Sequence, residues 1–230
     1  MARSKQIKYL IVSDIHLGDK DCKTEILLKV LKQNKAKTII IAGDLFDHHN
    51  LHRLNKVHWK VLSKLRKLSK KCKIIYLIGN HCFLKAEFMS ILLGFDCKDE
   101  QIIQLKDKKI LIVHGDIFDI YFTKYKWITN FIVKLYYILR HYTPFSDDFF
   151  RLFKHHTNNF VEKSGDIKQN ALKYIDMNGY DKIICGHTHL PEYTEKYINT
   201  GSFCEKSASY VIINKSNQIK LININDIDEI

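Results

Sequence analysis

Short aliphatic runs that each end in a cluster of glycine and polar residues are the feature that most constrains the fold of this chain. Runs rich in Ile, Val and Leu lie at 7–12, 38–42, 73–78, 110–113 and 182–185. Apolar runs of this length are typical of strands buried on both faces. Segments 24–33 and 57–68, between the first strands, place their apolar residues at helical spacing. Strands that alternate with helices predict an α/β fold.

The last part of the chain has a different pattern. Segments 193–198, 210–214 and 220–225 have β character and are separated by Gly, Ser and Asn. We assign these segments to a second sheet.

The polar clusters at the strand ends carry residue types that bind metals. They are Asp14-Ile15-His16, Gly43-Asp44 with Asp47, Gly79-Asn80-His81, His114-Gly115-Asp116 and Gly186-His187-Thr188-His189. Taken singly, such an Asp is usually a turn residue and such a His is usually a surface residue. Ligands of open α/β sheets, however, bind outside the carboxyl ends of the strands. Together the clusters offer carboxylate, imidazole and amide ligands, a set that suits Mn, Fe or Zn and differs from a thiolate zinc site.

The order of these clusters, D-x-H, G-D-x-x-D, G-N-H, H-G and G-H-x-H, resembles the calcineurin-like metallophosphoesterase superfamily. Within it, segment 114–119, the aromatic stretch that follows and Asn199-Thr200-Gly201 with Glu205 look like the bacterial UDP-2,3-diacylglucosamine diphosphatase-like branch. The resemblance implies a four-layer α/β/β/α metallophosphoesterase sandwich. It also implies one domain over 1–230 with a helical cap insertion at about 116–165.

The resemblance implies two divalent metal ions, with Mn²⁺ as the first expectation and Fe, Co or Zn as alternatives. The implied ligands are Asp14, His16 and His189 for one metal, Asn80, His114 and His187 for the other, and Asp44 as the bridge. His81 is implied to lie over the site as the catalytic side chain that stabilises charge or protonates the leaving oxygen. The implied reaction is hydrolysis of a phosphoester or pyrophosphate by a metal-bound hydroxide.

The turn around His81 departs from the family pattern. The family's G-N-H-D/E reads Gly79-Asn80-His81-Cys82 here, so a thiol stands where a carboxylate usually orients the imidazole. Cys82 has three interpretations: an incidental small residue, a soft extra metal ligand or a redox-sensitive switch. The diacylglucosamine hydrolases also usually carry Arg where His81 stands, which leaves the particular substrate open.

The aromatic residues are concentrated between 116 and 165, where Trp127 and Phe131 lie on a helical stripe with lysines on the other faces. This stretch has three interpretations: it packs on the core, it caps the metals and holds an acyl chain, or it lies in an anionic membrane interface. Resemblance to lipid-precursor hydrolases favours the last two. We assign Trp127, Phe131, His48 and Glu205 to substrate binding.

Net charge and cysteine content indicate which kinds of binding partner to expect. A net charge of +12 indicates anionic partners. No motif of a known DNA reader is present, so we expect a phosphorylated small molecule or nucleotide-linked lipid, such as UDP-2,3-diacylglucosamine, and no specific nucleic acid. Six cysteines without regular spacing indicate reduced thiols. We expect a cytoplasmic protein with peripheral contact to an anionic membrane, and its oligomeric state stays open.

Two other functions compete with this one. The first is a broad-specificity phosphodiesterase or phosphatase that acts on nucleotides or phosphoproteins. The second is a non-catalytic scaffold on the same fold, which predicts damaged metal ligands, whereas all seven ligand positions are intact.

Overall fold

The computed structural model describes residues 6–82, 86–119 and 159–225. In chain order the strands of this part are β1 (Gln6–Val12), β2 (Lys35–Ala42), β3 (Lys73–Leu77), β4 (Asp96–Lys98), β5 (Glu100–Leu105), β6 (Lys108–Val113), β7 (Lys182–Cys185), β8 (Glu192–Tyr193), β9 (Tyr197–Asn199), β10 (Ala208–Asn214) and β11 (Ile219–Ile224). The α-helices are α1 (Thr24–Gln33), α2 (Lys56–Ser69), α3 (Ala86–Leu93) and α4 (Asn159–Asn178). Short 3-10 helices lie at Leu51–Arg53 and Asp116–Phe118.

The strands form two sheets. The first has the order β11-β10-β1-β2-β3-β4, in which β1 to β4 are parallel and β10 and β11 are antiparallel additions. The second has the order β5-β6-β7-β9-β8, in which β6, β7 and β9 are parallel. Antiparallel strands β5 and β8 lie at its two edges. Strands β1, β2 and β3 of the first sheet and β6, β7 and β9 of the second occupy the buried centre, which explains their apolar sequences.

Three hydrophobic clusters separate four layers. Helices α1, α2 and α3 cover the outer face of the first sheet through side chains such as Leu27, Val61 and Met89. Between the sheets, side chains such as Ile40 and Ile112 pack face to face. Helix α4 covers the outer face of the second sheet through its buried apolar residues. The predicted α/β/β/α sandwich is confirmed.

The assignment of the last strands to a second sheet was partly wrong. Segments 210–214 and 220–225 form β10 and β11 and extend the first sheet, where Leu10 pairs with Ile212. Segment 193–198 does lie in the second sheet, but as the antiparallel strands β8 and β9 joined by a turn. Alternation of apolar and polar residues predicts that a segment is a strand and which of its faces is buried. It does not predict which strand pairs with it, because that depends on packing between segments far apart in sequence.

Most of the predicted cap at about 116–165 lies outside the described residues, which include only 116–119 and the chain from Asn159 onward. The cap and the single-domain organisation therefore stay predictions. None of the described helices has the length and apolar character needed to cross a membrane.

Candidate metal centre

The carboxyl ends of five parallel strands bring the predicted polar clusters to one edge of the sandwich. The turns that follow β1, β2, β3, β6 and β7 carry, in that order, Asp14 and His16, Asp44, Asn80 and His81, His114, and His187 and His189. Because the strands of the two sheets end on the same side, these turns face one another.

Left-handed backbone conformations direct many of these side chains. The residues with positive φ in these turns are Asp14 (48°), His16 (50°), Asp44 (46°), His187 (71°) and His189 (59°). Such conformations are uncommon outside glycine and cost about 1–3 kcal/mol each. The first turn is held on the second by backbone hydrogen bonds, because the amides of Ile15 and His16 both donate to the carbonyl oxygen of Asp44 at 3.0 Å.

Two glycines let the carboxylates approach the neighbouring backbone. A Cβ at Gly79 would lie 2.3 Å from Oδ1 of Asp44, and a Cβ at Gly186 would lie 2.2 Å from Oδ2 of Asp14. Any side chain at either position would displace a site carboxylate, so the glycines of the strand-end clusters have a steric role.

One side of the site, here called the Asp14 half, consists of Asp14, His16 and His189. Nε2 of His189 lies 3.3 Å from Oδ1 of Asp14 and 3.3 Å from Nε2 of His16. Nε2 of His16 lies 3.8 Å from the same carboxylate oxygen. All three residues are buried. Three donor atoms therefore converge on one small region that is closed to solvent.

The other side, here called the Asn80 half, consists of Asn80, His114 and His187. Oδ1 of Asn80 lies 2.9 Å from Nε2 of His114 and 3.2 Å from Nδ1 of His187. His114 is buried, whereas His187 is half-buried and Asn80 is exposed. This half is the more open one.

Asp44 lies between the two halves. Its Oδ2 is 3.3 Å from Nε2 of His114 and 3.9 Å from Nε2 of His16. Its Oδ1 accepts a hydrogen bond from the backbone N–H of His81 at 3.0 Å. The structure thus brings all seven residues predicted as metal ligands into one group, with Asp44 in the central position.

Each histidine of the two halves turns its other ring nitrogen toward an oxygen acceptor. The pairs are His16 Nδ1 with Asp47 Oδ1 (3.6 Å), His114 Nδ1 with the carbonyl of Ala42 (2.9 Å), His187 Nε2 with Asp119 Oδ2 (3.5 Å) and His189 Nδ1 with Glu205 Oε1 (3.2 Å). Histidines that bind metals usually donate their second N–H in this way, which fixes the tautomer and the ring orientation.

The sequence did not assign a role to Asp47 or Asp119. Asp47 was visible as the second acid of G-D-x-x-D, and Arg53 holds it through a 2.8 Å ion pair. Asp119 is the last residue of the 114–119 motif that supported the resemblance. The motif spacing could have indicated both acids, but not which histidine each one faces.

Without cations, the charged groups of the site stabilise one another. Burial raises the pKa of Asp44, yet the interactions of Asp44 with His114 and His81 together hold this pKa well below its usual value. Burial likewise opposes the charge of His114, but Asp44 raises the pKa of His114 to about 10. Burial lowers the pKa of His16, but the neighbouring carboxylates of Asp14 and Asp47 together raise this pKa to about 9. These buried acids and imidazoles thus favour one another's charged forms.

One atom of this network has no hydrogen-bonding partner. Oδ1 of Asp14 is the only buried side-chain oxygen or nitrogen without such a partner among the described residues. A buried carboxylate oxygen in this state is costly unless a cation compensates it. Two carboxylates, four imidazoles and one amide oxygen are also ligands that Mn, Fe, Co and Zn accept. The residues present therefore fit divalent metal ions.

His81 lies beside the Asp14 half. Its ring stands edge-on to that of His16, with centroids 5.1 Å apart. Its Nδ1 lies 2.8 Å from the carbonyl oxygen of Asp47, so this nitrogen carries the proton and Nε2 is the nitrogen left for other partners.

The residues predicted to bind substrate are placed differently. Glu205 contacts His189, as described above. His48 contacts residues of its own loop. Its Nδ1 accepts a hydrogen bond from the backbone N–H of Asn50, and its ring centroid lies 3.9 Å from that of His49. Trp127 and Phe131 lie outside the described residues. The substrate-binding role of all four stays a prediction.

Comparison with known proteins shows which protein family the chain resembles. Residues 7–191 match the model of the calcineurin-like phosphoesterase family. The chain is 25% identical over 208 residues to a UDP-2,3-diacylglucosamine hydrolase of Coxiella burnetii, covering 83% of this chain and 84% of that protein. It is 26% identical over 234 residues to a UDP-2,3-diacylglucosamine hydrolase of Wigglesworthia glossinidia brevipalpis, covering 90% of both.

Among solved structures, the phosphoesterase Yfce from E. coli matches with a TM-score of 0.48 and 21% identity, over 95% of this chain and 100% of that one. The family model covers most of the chain, from β1 to the residues just after the G-H-x-H cluster. The chain therefore belongs to the calcineurin-like phosphoesterase family.

Proposed function

We propose that this protein is a phosphoesterase with a dinuclear metal centre that hydrolyses a phosphoester or pyrophosphate bond. Family membership supports the general activity. The observation that carries the dinuclear centre is the group of seven donor residues on both sides of Asp44, within which the buried Oδ1 of Asp14 has no hydrogen-bonding partner. If Asp14 were purely structural, each of its buried carboxylate oxygens would be expected to have a hydrogen-bonding partner.

In this proposal the Asp14 half holds one cation, the Asn80 half holds the second, and Asp44 bridges them. Mn²⁺ is the first candidate, and Fe, Co and Zn are alternatives, because imidazole and carboxylate accept all four. When bound, two divalent ions activate a water molecule and offset the charge that develops on the phosphoryl oxygens.

The protein's own residues orient these ligands and handle a proton. Glu205 and Asp47 hold the Nδ1 protons of His189 and His16, so that both Nε2 atoms face Asp14. The Asp47 carbonyl fixes His81 in the same way and directs its Nε2 away from the loop. Nε2 of His81 would have to bind a second proton first. As the imidazolium, His81 would then be suited to donate that proton to the leaving oxygen, or to stabilise negative charge there.

For the substrate we propose a nucleotide-linked lipid such as UDP-2,3-diacylglucosamine. Support comes from relatives named UDP-2,3-diacylglucosamine hydrolase that match over most of both chains. Trp127 and Phe131 would contact an acyl chain from the aromatic cap at about 116–165, and His48 and Glu205 would contact polar groups. Peripheral contact with an anionic membrane would give access to such a lipid.

The general activity is tested with bis-p-nitrophenyl phosphate and the full chain. We expect turnover with Mn²⁺ and its loss with a chelator, while a His49→Ala control in the exposed loop behaves as the unmodified protein. Absence of turnover with Mn, Fe, Co and Zn alike would contradict the proposal and favour the scaffold alternative.

The substrate is tested with UDP-2,3-diacylglucosamine and its deacylated analogue. We expect the acylated compound to have the higher kcat/KM, and Trp127→Ala to raise KM for it alone. Equal rates for both compounds would contradict the lipid assignment and favour a broad phosphodiesterase.

A further inference from the structure

Cys204 lies beside the Asp14 half, although the sequence had suggested a metal-binding role only for a different cysteine, Cys82. Its Sγ is 3.7 Å from Nδ1 of His189 and 3.9 Å from the carbonyl oxygen of Asp14. The sulfur, one nitrogen of His16 and one nitrogen of His189 all lie within 4.8 Å of one another. This spacing is close to that of ligands around one metal ion, in which zinc–sulfur and zinc–nitrogen bonds are about 2.3 and 2.1 Å.

A second observation indicates that this cluster is incomplete without a cation. The unpartnered Oδ1 of Asp14 is fully buried, 3.3 Å from Nε2 of His189 and 3.8 Å from Nε2 of His16. The oxygen therefore points into the same group of atoms that Cys204 borders. The two histidines beside this oxygen are thus the same two that form the donor cluster with Cys204.

We propose that Cys204 is a soft ligand of the Asp14 half, so that this half binds a thiophilic divalent cation such as Zn²⁺ in preference to Mn²⁺. The inference rests on the proposed metal centre and adds the type of ion. On binding, the S–H bond of Cys204 breaks, its proton passes to solvent and a sulfur–metal bond forms, with no change of oxidation state. Thiolate ligands select Zn²⁺ and related soft ions over Mn²⁺.

The thiol is within reach of this position. Cys204 is half-buried, and exchange between staggered χ1 rotamers moves a cysteine sulfur by roughly 3 Å. Its loop is held on the site by the backbone hydrogen bond from the Phe203 amide to the carbonyl oxygen of Asp14 at 3.0 Å. In the proposal, ligation needs a side-chain rotation of this size toward the two histidines.

Cys82, the thiol next to His81 in sequence, is not in this position. It packs against the hydrophobic cluster between the first sheet and its helices. It does not belong to any of the donor clusters with metal-like spacing in the described part of the chain. Cys204 is therefore the cysteine that we consider as a soft metal ligand, and substitution of Cys82 is the matched control.

Cobalt spectroscopy tests the inference without measuring turnover. Metal-free full-length protein is titrated with Co²⁺, whose visible bands report binding and whose near-ultraviolet sulfur-to-cobalt charge-transfer band reports thiolate ligation. We expect this charge-transfer band in the unmodified protein and in Cys82→Ser, and its loss in Cys204→Ser with the visible bands retained.

The possible outcomes separate the two proposals. Visible bands without a charge-transfer band in the unmodified protein would overturn the role of Cys204 and leave the metal centre intact. The same conclusion would follow if the band persisted in Cys204→Ser. No Co²⁺ binding at all would overturn both the metal centre and the inference.

The affinities of the protein for Cd²⁺ and Mn²⁺ provide a second test. Cys204→Ser is expected to weaken Cd²⁺ binding by about tenfold or more, the order of change known for the loss of a metal-site partner. Mn²⁺ binding should change little, because Mn²⁺ prefers oxygen and nitrogen ligands. Equal weakening of Cd²⁺ and Mn²⁺ would indicate that Cys204 only supports the position of His189, and would overturn the inference.

Discussion

The Asp14 half and the Asn80 half have similar numbers of donors but different surroundings. In the Asp14 half all three residues are buried, and one of them is a carboxylate. The acids Asp47 and Glu205 face its histidines. In the Asn80 half the central oxygen belongs to a neutral amide on an exposed residue, and a carbonyl and Asp119 are the supporting acceptors.

This difference indicates that the halves are not equivalent sites for a cation. A buried carboxylate attracts a cation more strongly than an amide oxygen does, since charge is screened less away from water. We therefore expect the Asp14 half to fill first and to empty last. The Asn80 half, which is open to solvent, should exchange its cation more readily.

The largest effect on turnover is expected at Asp44, the residue that the two halves share. Asp44→Asn removes the charge that both halves use, so turnover should fall by at least about 10³-fold, the upper scale for one electrostatic group. Metal analysis after dialysis should show that both cations are weakened. Asp176→Asn, which breaks the surface pair with Lys196, is the matched control. Full turnover in Asp44→Asn would refute the bridging role.

Single substitutions in each half should separate the two cations. Asp14→Ala should weaken binding of the tighter cation by at least about 100-fold, because loss of a residue that only supports a ligand already costs about 10–100-fold. Asn80→Ala should release the weaker cation and leave one per chain. Isothermal titration with Mn²⁺ measures both. If Asn80→Ala lost the tighter cation instead, the assigned order of affinities would be reversed.

His81 should separate metal binding from catalysis. His81→Ala is expected to lower turnover by about 10²-fold, a typical contribution of one general acid. The metal content should stay the same, because the structure places this ring beside the Asp14 half without making it one of the seven donors. Equal loss of metal in this variant would contradict the catalytic role.

The acids behind the histidines should have smaller effects, each confined to its own half. Glu205→Gln should weaken the tighter cation, and Asp119→Asn the weaker one, by about tenfold in each case. The comparison is made by competition titration with a chromogenic chelator. If both variants affected the same cation, the pairing of each acid with its half would be wrong.

The smallest effect concerns pH. The folded-state pKa of His16 is about 9 and that of His114 about 10, both above the unfolded value of 6.5. The folded chain therefore binds these protons more tightly, so their contribution to stability is complete below pH 6.5 and is lost as pH rises through 9 and 10. The melting temperature of metal-free protein should fall over this range.

Added cations provide the control for the pH experiment. Cation binding displaces the same protons, so affinity for Mn²⁺ should rise as the pH increases from 6.5. Melting curves with chelator and with Mn²⁺ should therefore diverge toward alkaline pH. Parallel curves would mean that these histidines are not where the cations bind.

Much of the fold could be predicted from local patterns. Helix α1 coincides with the segment predicted over 24–33, and the five aliphatic runs all form central strands. Strands β4 and β5 were not predicted, because edge strands alternate polar and apolar residues over short lengths. The sheet that β10 and β11 join depends on pairing with β1, almost two hundred residues away.

The candidate site divides in the same way. Residue types, their order and the glycines beside them were readable, because each strand-end turn is local and needs a residue that tolerates a left-handed backbone. The partners of the histidines were not readable. The contact of Glu205 with His189 was not predicted, since Glu205 lies on a separate loop whose position follows from packing of the two sheets.

The sequence alone determined that carboxylate, imidazole and amide donors follow five buried strands, because those features reside in short contiguous segments. Only the tertiary structure decided that they form two unequal halves, one buried with charged support and one open to solvent. It also decided that Cys204, and not Cys82, borders the buried half. The physical reason is that the burial and the contacts of these side chains depend on how turns from distant parts of the sequence pack together. Short segments of sequence do not specify that packing.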